Sequence, residues 1–284
     1  MVGNKKTLLT LQVNLMAVNQ IENDDNFLEL HNQKAITMRK EFFLLENIIK
    51  DTCGNNKVYY LPSSGDWGNA LIRYGTLKFL RFIGIQYTEL KSYHDAKLME
   101  EESILLFGGG ENWQDVNEGS IGILRNIHKY FHTIIVLPST YQATYSLPNT
   151  IFFSRDRYDS KKHMPDAPFC HDLAFFIEPI PSVKKSTTGY FFRTDEESSG
   201  KLEIPPENSD ISLKGSHLSS VYPFIDTISQ YSIIHTDRLQ VAIVGCLLGQ
   251  EVHLYAGDNF ANKAVYLSSI EGYYANVYFH ETTD

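Results

Sequence analysis

Short apolar segments alternate with amphipathic segments along most of the chain, and this alternation constrains the fold more than any other feature. Residues 58–61, 103–107 and 133–137 have the length and apolar content of buried strands. Segments with helical spacing of apolar residues lie between them, at 69–82 and 120–131. Apolar strands that alternate with helices are typical of a parallel sheet covered on both faces. We therefore predict an α/β fold.

A polar stretch with two prolines, at residues 179–188, separates two halves that show the same alternation. A chain of 284 residues is long enough for two domains, each with its own core. We place the boundary in this stretch, which gives an N-terminal Rossmann-like domain over residues 1–182 and a C-terminal one over residues 183–284. Two such domains would enclose a cleft at the carboxyl ends of their strands, where ligands bind in folds of this kind.

The other predicted elements complete this pattern. An amphipathic leader helix is predicted at residues 31–51, and the acidic, Ser-containing residues 195–215 are predicted to form a mobile loop. The remaining strands are predicted at 151–154, 189–192, 232–235 and 252–255, and the remaining helices at 218–230 and 238–248.

Composition narrows the classes of partner. The formal net charge is -9, with 25 Lys and Arg against 34 Asp and Glu, which argues against a general nucleic-acid binder. The three cysteines are far apart and form no CxxC pair, so neither a zinc ribbon nor a disulfide framework is indicated. No signal peptide and no transmembrane segment is predicted. A cytoplasmic location is expected, with attachment to the inner face of the membrane and the oligomeric state both left open.

Two turns with glycines follow predicted strands in the first half. Gly65, Asp66, Trp67 and Asn69 belong to a turn that opens a helix, whose free backbone N–H groups could receive an anion. The alternative is that Asp66 only caps that helix. The second turn comprises Gly108, Gly109, Gly110, Glu111, Asn112 and Trp113. Its three glycines allow a ligand to approach the backbone closely. No Gly-Lys-Ser/Thr follows them, so the turn is not a P-loop.

Arginines follow strands at two further places. Arg155 comes directly after the strand at 151–154, and Arg193 takes the equivalent position in the second half. Guanidinium groups bind phosphate and carboxylate through paired hydrogen bonds. The structural alternative for Arg155 is an ion pair with the adjacent Asp156.

A fourth turn concentrates polar side chains before the apolar helix at 238–248. It contains His235, Asp237, Arg238 and Gln240. An anion held there would be stabilised both by the helix N-terminus and by Arg238. This turn therefore predicts an anion site.

The order of these motifs resembles the polysaccharide pyruvyl transferase family. The motifs are Gly65-Asp66, Gly108-Gly109-Gly110, Ser154-Arg155-Asp156, Asp237-Arg238-Leu239, Asp258-Asn259 and Asn262-Lys263. The resemblance implies two Rossmann-like domains in a glycosyltransferase-B-like arrangement. It also implies transfer of pyruvate from phosphoenolpyruvate to hydroxyl groups of a sugar in a surface polysaccharide or its precursor, as a ketal, with release of phosphate. By this likeness Arg155 and Arg238 bind the phosphate and carboxylate of the donor.

This chemistry requires cations for the donor, a general acid and a general base, and it requires no metal and no cofactor beyond phosphoenolpyruvate as co-substrate. Arg193 and Lys263 could add to the charge supplied by Arg155 and Arg238. The candidates for proton transfer are Asp66, as first choice, and Glu111 and Asp237, with His235 and Gln240 as further catalytic candidates. The predicted acceptor side comprises Gly65, Trp67, Asn69, Glu111, Asn112 and Trp113, although both Trp side chains could simply be core.

Gln240 departs from the family pattern, which has histidine at this position. Glutamine forms hydrogen bonds but carries no proton at accessible pH. Three explanations stay open: an introduced substitution, a natural rearrangement in which His235 or another residue takes over, and a relative that binds without turnover. A nucleotide-sugar glycosyltransferase of the same architecture and a non-catalytic glycan- or phosphate-binding protein are the alternative functions.

Overall fold

Two parallel sheets, one in each half of the chain, form the frame of the protein in a computed structural model that describes residues 37–98, 102–110, 112–114, 119–178, 180 and 187–281. The strands are β1 (Val58–Leu61), β2 (Thr88–Glu89), β3 (Ile104–Phe107), β4 (Asn112–Trp113), β5 (Thr133–Tyr141), β6 (Thr150–Ser154), β7 (Thr188–Phe191), β8 (Ile233–Thr236), β9 (Glu251–Tyr255) and β10 (Val277–His280). The α-helices are α1 (Phe43–Cys53), α2 (Trp67–Phe82), α3 (Gly119–Ile127), α4 (Asp159–His163), α5 (Tyr222–Ile228), α6 (Leu239–Leu247) and α7 (Ala261–Val265). Short 3₁₀ segments lie at Tyr93–Leu98, His128–Tyr130, Leu173–Phe176 and Ile211–Lys214, and a π-helical turn lies at Tyr266–Ile270.

The first sheet has six strands in the order β2-β1-β3-β5-β4, with β6 also paired to β5. The second has four strands in the order β10-β9-β8-β7. All of these pairings are parallel. Every residue of β3 is buried, as expected of a central strand in a parallel sheet. The predicted α/β fold with parallel sheets is confirmed.

The main differences from the predicted elements have local causes. The strand predicted at residues 133–137 is longer than expected, because β5 continues through Pro138 to Tyr141. The register of β5 against β6 shifts between Val136 and Ser139, and such an irregularity accommodates a proline within a strand. The two-residue strands β2 and β4, and also β10 and α7, were not predicted.

The predicted leader helix is only partly covered by the described residues, because positions 31–36 lie outside them. The described part is a helical turn at residues 37–40 followed by α1. Among the described residues, no helix has both the length and the apolar character needed to cross a membrane.

The two halves of the chain share a hydrophobic core. One buried cluster runs from the first sheet through α2 and the Leu173–Phe176 segment to α6 and the second sheet. A second cluster lies on the other face of the first sheet. The π-helical turn of the second half also reaches back, since the Ser269 hydroxyl lies 2.8 Å from Nδ1 of the buried His171. The core therefore fixes how the loops at the ends of the two sheets face each other.

Gly75 is placed where α2 contacts the Leu173–Phe176 segment. A Cβ added at Gly75 would lie 2.0 Å from the carbonyl oxygen of Leu173, closer than atoms can approach. We expect Gly75→Ala to lower the free energy of unfolding by about 2–3 kcal/mol because α2 must move away from its partner. Urea denaturation measures this change. Gly272→Ala is the control, since its added Cβ would meet no atom within 4 Å. Equal stability of the two variants would show that α2 and the Leu173–Phe176 segment can move apart at little cost in free energy.

Candidate functional site

A cavity of about 540 Å³ lies where the ends of the two sheets meet. Its wall includes segments that follow the strands β1, β3, β6, β7, β8 and β9, together with the end of β4 and the start of α3. The carboxyl ends of parallel strands are where α/β sheets bind ligands. The lining includes Ser64, Gly65, Asp66, Asn69, Gly110, Trp113, Gln114, Arg155, Arg193, Asp195, Glu197, Asp237, Arg238, Leu239, Gln240, Asp258, Asn259 and Asn262.

Asp66 is held at the start of α2. Its Oδ1 accepts hydrogen bonds from the backbone N–H groups of Gly68, at 2.7 Å, and Asn69, at 3.4 Å. Its Oδ2 accepts from Arg238 Nη1 at 2.9 Å. The helix begins at Trp67, two residues before the predicted start, because Asp66 is its N-cap. The carboxylate thus caps a helix and joins the two halves of the chain.

Arg238 is enclosed by carboxylates. Only 4% of its side chain is exposed. The carboxylate of Asp210 accepts hydrogen bonds from Arg238 Nε at 3.0 Å and from Nη2 at 2.6 Å. Nη2 also donates to Asp195 at 2.8 Å. With Asp66, three carboxylates surround one guanidinium group. Burial lowers the pKa of Arg238, but the hydrogen bonds and charges of these carboxylates outweigh burial and raise it. Arg238, which the sequence predicted to bind the donor, therefore carries its positive charge, and three carboxylates already balance that charge.

Asp237 lies directly after β8 and is buried, with 6% of the residue exposed. Its Oδ1 accepts the backbone N–H of Arg193 at 2.7 Å. Burial raises the pKa of Asp237, while the bond from Arg193 and the charges of Arg193 and Arg238 oppose this shift. A carboxyl group with a raised pKa at a cavity wall is suited to proton transfer.

Arg193 enters the same cavity from the end of β7. Its Nη1 contacts Glu197 and lies 3.5 Å from Asp195. Burial lowers the pKa of Arg193, and the charge of Arg238 adds to this effect. Two guanidinium groups thus share Asp195.

Arg155 lies beneath the cavity with 2% of its side chain exposed. Nη1 contacts Asp172 and Nε contacts Thr140 Oγ1, each at 2.8 Å. The anticipated partner, Asp156, instead accepts hydrogen bonds from the backbone N–H groups of Tyr158 and Ser160. Arg155 is therefore ion-paired as the structural alternative required, but with a carboxylate 17 residues away.

Gln240 stands where two helices begin. Arg238 is the N-cap of α6 and provides no side-chain hydrogen bond to it. A Cβ on Gly68 would lie 3.3 Å from Cβ and Cγ of Gln240, so the first turns of α2 and α6 touch. Gln240 and Leu239 both line the cavity. Backbone N–H groups at an uncapped helix N-terminus favour an anion.

Three predicted site residues lie elsewhere. His235 stacks between Tyr190 and His253 on the second sheet, and its Nδ1 lies 3.1 Å from the hydroxyl of Tyr255. Lys263 is exposed and pairs with Glu281. The Trp67 ring packs against Phe224, and its indole N–H donates to the Ser220 carbonyl at 2.7 Å. None of these three side chains is among the described residues that line the cavity, which corrects the predicted site.

Trp113 borders the cavity but belongs to the core. It is 4% exposed and packs edge-on against Tyr141, Tyr145 and Phe152, as its core alternative required. Glu111 lies outside the described residues. Asn112 contributes backbone to β4, and its side chain is not among those described. Gly65 and Asn69 do line the cavity, so the part of the predicted acceptor side that faces the cavity is mainly the turn before α2.

The acidic partners of the arginines were not predicted individually. Asp195, Glu197 and Asp210 come from the segment predicted only as an acidic loop, and Asp172 precedes a 3₁₀ turn. The signal in the sequence was the acidic run two residues after Arg193. Among the described residues, no group of His, Cys, Asp and Glu has an arrangement that could hold a metal ion.

Comparison with known proteins bears on the fold. No protein-family model matches the chain, and no curated protein matches it. A solved structure of an uncharacterised protein from Klebsiella pneumoniae is 25% identical, with a TM-score of 0.70 over 84% of this chain and 97% of that one. The two proteins share a fold. The match extends over nearly all of the Klebsiella protein.

Proposed function

We propose that the protein transfers pyruvate from phosphoenolpyruvate to two hydroxyl groups of a sugar in a surface polysaccharide or its precursor, forming a ketal and releasing phosphate. The observation that carries this proposal is the meeting of Arg155, Arg193 and Arg238 with the buried Asp237 in one cavity. Phosphoenolpyruvate carries about three negative charges, one on its carboxylate and the rest on its phosphate. Three guanidinium groups and the start of α6 match that demand.

The donor is proposed to lie against the second half of the chain and to reach the first half at Arg155. Its phosphate would face Arg193, Arg238 and the backbone N–H groups that open α6, and its carboxylate would face Arg155. The sugar would lie toward Gly65 and Asn69. The two-domain, glycosyltransferase-B-like arrangement and a cytoplasmic location are further parts of the proposal.

Asp237 is the proposed general acid and base. Its protonated carboxyl group gives a proton to the methylene carbon of the donor, which becomes a methyl group and leaves a cationic carbon stabilised by the adjacent oxygen. A sugar hydroxyl attacks that carbon and returns a proton to Asp237. The carbon–oxygen bond to phosphate then breaks, and the second hydroxyl closes the ketal while its proton leaves with phosphate. We prefer Asp237 to Asp66, our first choice from the sequence, because both oxygens of Asp66 are engaged by α2 and Arg238.

Gln240→His tests the proposed function directly. The side chain at this position lines the cavity beside Arg238, so a histidine there could bind phosphate and carry a proton. We expect this substitution to raise the release of phosphate from phosphoenolpyruvate by about 10²–10³-fold in the presence of the correct sugar acceptor. Phosphate release across a panel of hexoses, hexosamines and acidic sugars measures it.

Gln240→Asn is the matched control, since it keeps the amide and adds no titratable group. Release only in the histidine variant would identify Gln240 as an inactivating residue. If neither wild type nor the histidine variant releases phosphate with any acceptor, pyruvyl transfer is rejected. Hydrolysis of a nucleotide sugar by the same samples would then favour the glycosyltransferase alternative.

A further inference from the structure

The guanidinium groups of the cavity face more carboxylates than they need. Arg193 and Arg238 are surrounded by four carboxylates, those of Asp66, Asp195, Asp210 and Glu197. Opposite charges at about 4 Å attract by about 1 kcal/mol in water and by more where solvent is excluded, and like charges repel equally. An anion with three charges cannot enter this arrangement unless negative charge leaves it.

The carboxylates around Arg238 fall into two classes. Asp210 is 5% exposed, binds Arg238 through two oxygens and accepts the Thr194 backbone N–H at 2.8 Å. Asp66 caps α2. These two are held in place by the fold.

Asp195 and Glu197 are held differently. Their side chains are 28% and 62% exposed, and both extend into the cavity from the segment that follows Arg193. Asp195 reaches Arg238 with one oxygen and Arg193 with the other, at 2.8 and 3.5 Å. Carboxylate oxygens and phosphate oxygens bind guanidinium groups in the same geometry. The two side chains therefore occupy positions that an anionic ligand would take.

We infer that Asp195 and Glu197 act as an internal anion, whose carboxylates cover the anion-binding groups of Arg193 and Arg238 and withdraw when the donor binds. This inference rests on the proposed function for the identity of the donor, but the same displacement is expected with any anion that contains phosphate. Departure of both side chains exposes guanidinium N–H groups and removes two negative charges at once. The device keeps the arginines paired when no donor is present and makes donor affinity depend on the cost of releasing the segment.

The test measures anion affinity in a variant without these charges. Isothermal titration with inorganic phosphate, and separately with phosphoenolpyruvate, compares wild type with the double variant Asp195→Asn, Glu197→Gln. We expect the double variant to bind both anions about tenfold or more tightly, which is about 1.4 kcal/mol. Glu196→Gln is the control for an unspecific effect of charge, because it removes one negative charge from the exposed residue between the two, and we expect less than a twofold change.

A second measurement follows the segment itself. Amide hydrogen exchange in peptides covering residues 194–200 should become faster when phosphate is added to wild type, because the segment loses its contacts with Arg193 and Arg238. Slower exchange, or no change at a phosphate concentration that saturates binding, overturns the inference. Thermal melting of the double variant verifies that it is folded.

The possible failures can be told apart. Tighter phosphate binding in the double variant, without turnover of phosphoenolpyruvate in any variant, supports the internal anion and rejects the proposed donor. Turnover of phosphoenolpyruvate with equal affinity and equal KM in wild type and double variant supports the proposed function and overturns the internal anion. Weaker phosphate binding in the double variant also overturns it, since Asp195 and Glu197 would then assist binding.

Discussion

Replacing Arg238 with methionine is expected to lower the free energy of unfolding by about 3–5 kcal/mol. The substitution leaves Asp66, Asp195 and Asp210 close together without the cation that they surround. Asp210 is nearly inaccessible, so water cannot replace the lost hydrogen bonds at its two oxygens. Because Asp66 belongs to the first half of the chain and Asp210 to the second, the loss also weakens the junction between the two sheets.

Urea denaturation at neutral pH measures this effect. Arg73→Met is the control, because Arg73 pairs with Glu89 and both side chains are about one quarter exposed, so its loss should cost at most about 1 kcal/mol. Adding Asp210→Asn to the Arg238 variant should restore at least about 1 kcal/mol, since one unpaired buried charge is removed. If the Arg238→Met protein is as stable as the Arg73 variant, water solvates the carboxylates well enough to replace their bonds to Arg238.

Much of the fold follows from local features of the sequence. Runs such as Ile104–Phe107 are short and apolar and end at glycine or polar residues, so both their extent and their burial could be predicted. Asp66 marks the start of α2 through its capping side chain. The rule that ligands bind at the carboxyl ends of parallel strands then locates the cavity wall, including Asp237 and Arg238.

The partners of charged side chains could not be predicted in the same way. Arg155 pairs with Asp172 and Arg238 with Asp210, across 17 and 28 positions, because the tertiary fold brings these segments together. His235 shows the limit at short range. It is three positions from Arg238 in the sequence, yet side chains alternate along β8, so it stacks on His253 while the next residue, Thr236, is buried. A cluster of polar residues in a sequence thus need not form one site.

Asp237→Asn is expected to reduce kcat for phosphate release by about 10²–10⁴-fold in the Gln240→His background, with KM for phosphoenolpyruvate changed by less than about threefold. Asparagine keeps the oxygen that accepts the Arg193 backbone N–H, so the loop should hold its conformation. What it loses is the exchangeable carboxyl proton. Steady-state kinetics with the acceptor found in the panel measures both constants, and Asp226→Asn, on the exposed side of α5, controls for the change of charge.

The pH profile separates a proton donor from a residue that only shapes the cavity. Burial raises the pKa of Asp237, and the carboxyl group must be protonated to act on the methylene carbon. kcat should therefore fall as the pH rises through that raised pKa, and this limb should be missing from the Asn variant, whose low rate stays flat over the same range. If the limb persists in the Asn variant, or if kcat falls less than tenfold in a folded protein, another group supplies the proton. Asp66→Asn is then the next variant to measure, since that carboxylate faces the same cavity from the first sheet.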